Sequence, residues 1–216
     1  MVTHQVLNYL PKDLTSVLDV GCGVGTMGLL IKANYLTLDP KHPRMKCNIY
    51  SEAIEYYSPY VDYCKDANIY DDIKNIDLSL GLLPYDDNSF DLVLLDNMIN
   101  HFEKSLSYEL INECKRVAKK RVIIATCDVE HAPEEESIEN DGNIGLEHKS
   151  TWNLKELKHL DFKVYGVGMK LFGDGHGHYP KGMKMLGKQL ELVATKFPTL
   201  GNRMVAYHDI KHITHS

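Results

Sequence analysis

Residues 17–28, Val-Leu-Asp-Val-Gly-Cys-Gly-Val-Gly-Thr-Met-Gly, constrain the fold more than any other stretch of this chain. Val17, Leu18 and Val20 are apolar or β-branched and read as the end of a buried strand. Gly21, Gly23 and Gly25 follow at alternate positions, and Met27, Leu29, Leu30 and Ile31 then open a helix-like apolar run. Glycine is needed where a backbone turns sharply and where a ligand lies against the main chain with no Cβ in the way. A strand, a glycine turn and a helix start together make a seat for a small polar ligand.

Two registers fit the glycines. Gly23, Gly25 and Gly28 satisfy the G-x-G-x-x-G spacing of dinucleotide-binding folds, a weak match by itself. Asp19, Gly21, Gly23 and Gly25 satisfy acidic-x-Gly-x-Gly-x-Gly, which places a carboxylate at the strand end where it could hold a cationic ligand group. In this second register the stretch resembles motif I of the class I S-adenosylmethionine (SAM) methyltransferases. That resemblance implies SAM as cofactor, S-adenosylhomocysteine (SAH) as product, and cofactor contacts from Asp19, Gly21, Cys22, Gly23 and Gly25.

Tyr35-Leu36-Thr37-Leu38 reads as a second strand ending at Asp39-Pro40. An acid at the end of the second strand, about twenty residues beyond the glycines, suits the two hydroxyls of a ribose. Asp39 and Pro40 are therefore expected at the cofactor. Residues 41–75 are harder to read. The tyrosines from Tyr50 to Tyr63 are expected to pack one or two short helices broken at Ser58-Pro59.

Residues 76–93 contain Asp77-Leu78, then Leu83-Pro84-Tyr85, then Asp87-Asn88-Ser89-Phe90-Asp91-Leu92-Val93. The continuous apolar run from Leu92 reads as a buried parallel strand. The order resembles a pattern of the small-molecule ("type 11") methyltransferases. It implies that Asp77 and Leu78 meet the adenine, with Asp66-Ala67 as the competing pair. This fourth strand ends at Asp96-Asn97, beyond which donor and acceptor would meet. His101 lies a few residues on and is read as a positioning group or a general base, since a neutral imidazole can take a proton near neutral pH. Asp96-Asn97 also resembles the pair of metal-dependent catechol-type enzymes, but that pair belongs to a different strand, and no metal is expected.

Glu103–Lys119 has helical apolar spacing, with Lys119, Lys120 and Arg121 at its C-terminal end, where positive charge suits the helix dipole. Arg121–Cys127 reads as a fifth strand, Asn153–Leu160 as a helix, Phe162–Gly168 as a sixth strand, Lys181–Phe197 as a helix and Asn202–His208 as the last strand. The expectation is an α/β fold. It is a three-layer α-β-α, Rossmann-like doubly wound sheet of about seven strands, mostly parallel, with a last strand that the methyltransferase resemblance implies to be antiparallel. Residues 1–216 form one domain in this reading, with a core at 16–126 and residues 127–216 completing the sheet and covering the substrate side.

Composition narrows the rest. A chain of 216 residues with 44% hydrophobic and 25% charged residues suits one soluble domain. A net charge of −6 argues against a general nucleic-acid surface. No apolar run nears the roughly 18 residues that span a bilayer, and the N-terminus has no signal-peptide pattern. The five cysteines are scattered without a Cys-x-x-Cys pair, which fits reduced thiols in a cytoplasm. Trp152, in His148-x-Ser150-x-Trp152, is read as a packing anchor, and Gly173–His178 as a flexible substrate-side loop. The expected activity is methyl transfer from SAM to a small-molecule acceptor. A SAM-binding protein without turnover and a nicotinamide-dependent oxidoreductase stand as alternatives.

Overall fold

Every residue of β1 (Ser16–Val20) after the first is buried, because this strand runs through the middle of a sheet. The computed structural model describes residues 3–38, 45–80, 82–127, 147–167, 194–201 and 203–211. Its further strands are β2 (Leu36–Leu38), β3 (Met45–Cys47), β4 (Tyr50–Glu55), β5 (Asp72–Asn75), β6 (Phe90–Asp96), β7 (Ala118–Cys127), β8 (Lys163–Val167) and β9 (Arg203–Asp209). The helices are α1 (Thr3–Val6), α2 (Thr26–Asn34), α3 (Ser58–Asp66), α4 (Lys104–Val117) and α5 (Leu154–His159).

Seven strands form one sheet in the order β5-β4-β1-β6-β7-β9-β8. β1 pairs in parallel with β4 on one side and β6 on the other, and β9 alone runs antiparallel to its neighbours β7 and β8. Chain order reverses between β1 and β6, and in an open α/β sheet that reversal opens a crevice at the strand C-termini. β6 shows why the sheet is central. Leu92, Val93, Leu94 and Leu95 are all fully buried, as expected of a parallel strand covered on both faces.

Alternate residues feed two cores. Leu18, Val93, Leu95, Val122 and Ile124 pack under α4 and α5 through Leu110, Ile111, Val117 and Leu157. Val17, Leu92, Leu94 and Ile123 pack on the opposite face against Met27 and Ile31 of α2 and Val6 of α1. The architecture is the expected three-layer α-β-α sandwich with an antiparallel last strand. No helix among the described residues is long and apolar enough to cross a membrane.

Residues 35–63 depart from the expectation. Leu36–Leu38 is a strand, but it pairs with Met45–Cys47 in a separate two-stranded sheet. The second strand of the main sheet is Tyr50–Glu55, in register from Ser16↔Tyr50 to Val20↔Ile54. Pro59 does not break a helix; it sits in the first turn of α3, where its missing N–H has no intrahelical partner to lose. Tyr50, Tyr56 and Tyr63 are exposed and do not form a core stripe. Ala118 to Arg121 already belong to β7, so Lys120 and Arg121 do not cap α4. Lys120 instead bonds Asp91 at 3.0 Å and Arg121 bonds Asp209 at 2.7 Å.

Candidate active site

The turn after β1 is held by its own backbone. Gly21 and Cys22 donate their N–H groups to the Ile54 carbonyl at 2.8 and 3.2 Å, and Gly25 donates to Cys22 at 3.0 Å. Gly21, Gly23 and Gly25 have φ of +73°, +54° and +79°, the left-handed region that side chains resist. What a Cβ would meet differs among them. At Gly21 it would stand 2.1 Å from Met98 Sδ, and at Gly25 2.9 Å from the Ile69 side chain. At Gly23 it would meet nothing within 4 Å. Two of these glycines are required by protein packing, and Gly23 faces open space.

Tyr70 braces the turn from below. Its hydroxyl donates to Asp19 Oδ2 at 2.6 Å and accepts from the Gly28 N–H at 3.2 Å. Its ring lies 2.5 Å from where a Gly28 Cβ would be, so Gly28 is required by Tyr70.

A cleft of about 620 Å³ opens at the strand C-termini, within the size range of small-molecule sites. Asp19, Glu55, Asp77, Asp96 and Glu103 contribute carboxylates to its lining, and Lys149 a cation. Asp19 is 1% exposed. Burial pushes its carboxyl up to about 7; the Tyr70 hydrogen bond opposes this, while the Asp96 and Glu55 charges add to it. Burial, reinforced by the Asp19 carboxylate, likewise pushes the Cys22 thiol far above its ordinary value. Glu55 closes β4, and its carboxylate accepts from the Gly23 N–H and the Tyr57 N–H, both at 2.8 Å. Asp77 Oδ1 accepts from the Ser79 N–H at 2.8 Å, and Leu78 is buried beside it.

The segment after Leu78 is clamped from two sides. Leu83 N–H donates to Glu113 Oε2 at 3.1 Å, while Arg116 donates to the Tyr85 carbonyl at 2.8 Å and the Leu83 carbonyl at 3.2 Å. Tyr85 also donates its hydroxyl to Glu52 at 2.5 Å. Burial works against the Glu52 carboxylate, but bonds from Lys74, Tyr85 and Tyr50 together hold it below its ordinary value. Leu83-Pro84-Tyr85 is thus the anchored far end of the Asp77–Leu78 wall.

The opposite wall follows β6. Asn97 takes φ +55° and donates its N–H to the Ala125 carbonyl at 2.8 Å, and Met98 then packs onto Gly21. A 3-10 turn, Ile99–His101, carries His101 into the cleft lining with Phe102 and Leu106. His101 Nδ1 lies 3.1 Å from the Glu147 carbonyl. A carbonyl only accepts, so Nδ1 carries the proton. The Asn100 carbonyl accepts from Lys149 and Ser150 N–H at 2.8 and 3.0 Å, and the Ile99 carbonyl accepts from Ser150 Oγ at 3.2 Å and Trp152 Nε1 at 3.4 Å. The His-x-Ser-x-Trp segment is a clasp on the turn that bears His101, and Trp152, fully buried, is its packing anchor.

A family model described as a methyltransferase domain matches residues 11–164, well over half of the chain. This chain belongs to the methyltransferase domain family. Its fold is that of the class I SAM-dependent methyltransferases. A SAM-dependent methyltransferase from Archaeoglobus fulgidus has the same fold at a TM-score of 0.61 and 16% identity, over 96% of this chain and 92% of that one. A methyltransferase of Haloferax volcanii, solved with the Trm112 activator, aligns at 0.63 and 16%, over 98% and 89%. Magnesium protoporphyrin IX methyltransferase from Synechocystis, solved with bound SAM, aligns at 0.56 and 13%, over 97% and 78%. No curated protein matches the chain in sequence.

Of the residues expected at the methyltransferase site, Asp19, Gly21, Cys22, Gly23, Asp77, Leu78, Asp96, Asn97 and His101 all line the one cleft. Gly25 lies behind it, buried on Ile69 and Cys64. Asp39, Pro40 and the Gly173–His178 segment lie outside the described residues. Asp66 and Ala67 end α3 on the exposed surface and are absent from the cleft lining. Sequence reasoning missed Glu55 and Tyr70. Glu55 was legible in principle: Ala53-Ile54-Glu55 is an apolar run ending in an acid, but the tyrosines around it suggested a helix.

Proposed function

We propose that residues 1–216 act as a single domain that transfers the methyl group of SAM to a small-molecule acceptor, with SAM held across the cleft. The observation that carries this reading is Gly23. Its positive φ and the open space before it leave a main-chain surface bare between the carboxylates of Glu55, Asp19 and Asp96. SAM fits the donor set: an adenine amine suits Asp77, and ribose hydroxyls suit Glu55 at the end of the true second strand. Its cationic end suits Asp19 and Asp96. Glu55 takes the ribose role expected of Asp39, because β4 and not β2 lies beside β1.

When bound, SAM supplies an electrophilic methyl on a sulfonium whose charge disappears on transfer. The chain's own task is alignment and exclusion of water, a proximity effect. Glu55, Asp77 and the glycine turn orient the donor. Met98, Phe102 and Leu106 provide an apolar wall where the acceptor enters, and His101, tethered through Nδ1–H, orients the acceptor. A small-molecule acceptor is supported by the size of the cleft, about 620 Å³, and by the type 11 resemblance of residues 76–93. A reducing cytoplasm is supported by the free thiols of Cys22, Cys47, Cys64 and Cys114.

Calorimetry with SAM, SAH and NAD tests the reading. SAM and SAH are expected to bind in the micromolar range with NAD inert. Tight NAD binding without response to the other two overturns it.

A further inference from the structure

The glycine turn has no side chain of its own to cap the helix behind it. α2 starts after Gly25, and its first N–H to reach a carbonyl of the same helix start is that of Leu29, bonding Gly25 at 3.2 Å. The Gly28 N–H is instead satisfied by the Tyr70 hydroxyl at 3.2 Å, from 42 positions along the chain. The same hydroxyl donates to Asp19 Oδ2 at 2.6 Å. Burial, reinforced by the Asp19 and Cys22 charges, holds this hydroxyl far above its ordinary value, so it stays a donor. One oxygen thus joins the start of α2 to the acid near the end of β1.

Tyr70 reaches this place because the turn makes room for it. A Cβ on Gly28 would stand 2.5 Å from the Tyr70 ring, and one on Gly25 would stand 2.9 Å from the side chain of Ile69, the residue before it. The segment is pinned from its other end. Asp71 N–H donates to the Ser51 carbonyl at 2.8 Å, and Ser51 N–H donates to Asp71 Oδ2 at 2.7 Å. Tyr70 is buried and absent from the cleft lining, whereas Asp19 is part of it. A carboxylate with one oxygen held from behind has its direction toward a ligand fixed by that bond. We propose that Tyr70 is a positioning residue for the amino-acid end of the donor, its hydroxyl setting how Asp19 faces the cleft. The proposal rests on the SAM reading above, in which the cationic end of the donor meets Asp19. SAM and SAH carry that amino-acid group alike, while methylthioadenosine keeps the adenosine and the thioether and lacks it. The aim of Asp19 therefore matters to the first two ligands and not to the third. A general loosening of the turn weakens all three.

The test is calorimetry of the full chain with SAM, SAH and methylthioadenosine, with melting curves to confirm that each variant is folded. Tyr70→Phe removes the hydroxyl and keeps the ring. Expected is about tenfold weaker binding of SAM and SAH, the scale of one hydrogen bond to a charged group, with methylthioadenosine changed less than about twofold. A double-mutant cycle reads the same coupling from SAH alone: with Asp19→Asn already in place, Tyr70→Phe should weaken SAH much less than it does in the wild type. Gly28→Ala covers the case in which Tyr70→Phe does not fold. Its Cβ would stand 2.8 Å from the Tyr70 hydroxyl oxygen, so it displaces the hydroxyl without removing it, and the same preference among the ligands is expected. A folded variant that binds SAM and SAH as the wild type does overturns the proposal. So does an equal loss for all three ligands, or a loss for SAH that is the same with and without Asp19→Asn. Each of these leaves the cofactor reading standing. A wild-type protein that binds neither SAM nor SAH overturns both.

Discussion

The proposed donor wall of the cleft is made of strand ends and a glycine turn whose polar groups are tied within the sheet. Gly21 and Cys22 bond Ile54, Gly23 bonds Glu55, and Tyr70 bonds both Asp19 and Gly28. The proposed acceptor wall includes a 3-10 turn held by Ser107 of α4 and by a segment some fifty residues further along that contributes Lys149, Ser150 and Trp152. One wall rests on strand ends tied to neighbouring strands, and the other on a turn tied to α4 and to a distant segment.

The sharpest break of that contrast lies within the glycine turn. Gly21→Ala adds a Cβ 2.1 Å from Met98 Sδ at φ +73°, so Met98 must leave its place between the two walls. Strain and displacement together are expected to cost on the order of 3 kcal/mol in urea unfolding, with SAM binding lost. Gly23→Ala adds a Cβ that meets nothing within 4 Å. It should cost only the backbone strain, about 1–2 kcal/mol, yet weaken SAM at least as severely because the methyl occupies the ligand's space. Gly23→Ala with wild-type SAM affinity would show that the donor does not lie on the turn.

A second variant separates folding from binding on the same wall. Asp19 titrates higher in the folded chain than in the unfolded one, so its contribution to stability is complete below its ordinary value near 3.8 and is lost as pH rises through about 7. Asp19→Asn removes that loss. In thermal melts the variant should be more stable than wild type at pH 8, on the order of a few kcal/mol, and indistinguishable from it near pH 4. Greater wild-type stability at pH 8 would mean that Asp19 is stabilised as an anion.

Glu55→Gln is the next smaller effect. The Gly23 and Tyr57 N–H groups bond different oxygens of Glu55, so glutamine keeps an acceptor for one of them and loses the charge that ribose hydroxyls would meet. SAM and SAH should both weaken by about 1.5–3 kcal/mol, the range for hydrogen bonds to a charged group, and the melting temperature should fall because one N–H loses its acceptor. Asp39→Ala is the control. If calorimetry finds Asp39→Ala weakened and Glu55→Gln unaffected, the ribose lies at the end of β2 and the reassignment fails.

What the sequence disclosed follows the same division. The glycine turn, β6 and α4 were legible because each is a local pattern: a spacing of glycines, an unbroken apolar run, a helical stripe; the antiparallel end of the sheet came only with the family resemblance. The second strand was not. Tyr35–Leu38 offers a better strand pattern than Tyr50–Glu55, and only pairing with β1 and β5 decides which one enters the sheet. Tyr70 was invisible for a related reason. Its role depends on reaching Asp19, 51 positions away in sequence, through a space left by Gly28. The His-x-Ser-x-Trp segment could be noticed but not explained, because its partners are the carbonyls of Ile99 and Asn100, which carry no side-chain signature.

His101 tests the acceptor wall with the smallest expected effect. Its Nδ1–H is committed to the Glu147 carbonyl, so in the neutral ring Nε2 is an acceptor. That arrangement serves either of two roles: taking a proton from the acceptor, or receiving a hydrogen bond that aims it. His101→Gln retains a hydrogen-bonding group of similar reach and removes the titrating nitrogen. A general base contributes about a hundred- to ten-thousand-fold in rate, and its loss would erase a pH dependence of the rate near neutrality. A positioning group contributes less, and its replacement leaves the shape of the pH profile intact. The expected outcome is positioning. With an acceptor found by screening for SAH formation, His101→Gln should lower the rate by about tenfold or less, short of the loss a base would cause. It should raise the KM of the acceptor, leave SAM binding unchanged and keep the wild-type pH profile. The clasp gives an independent lever, since Ser150→Ala removes a bond to the Ile99 carbonyl without touching the imidazole. If His101 acts by placement, Ser150→Ala should shift acceptor KM in the same direction. A base would instead leave Ser150→Ala close to wild type and make His101→Gln far slower.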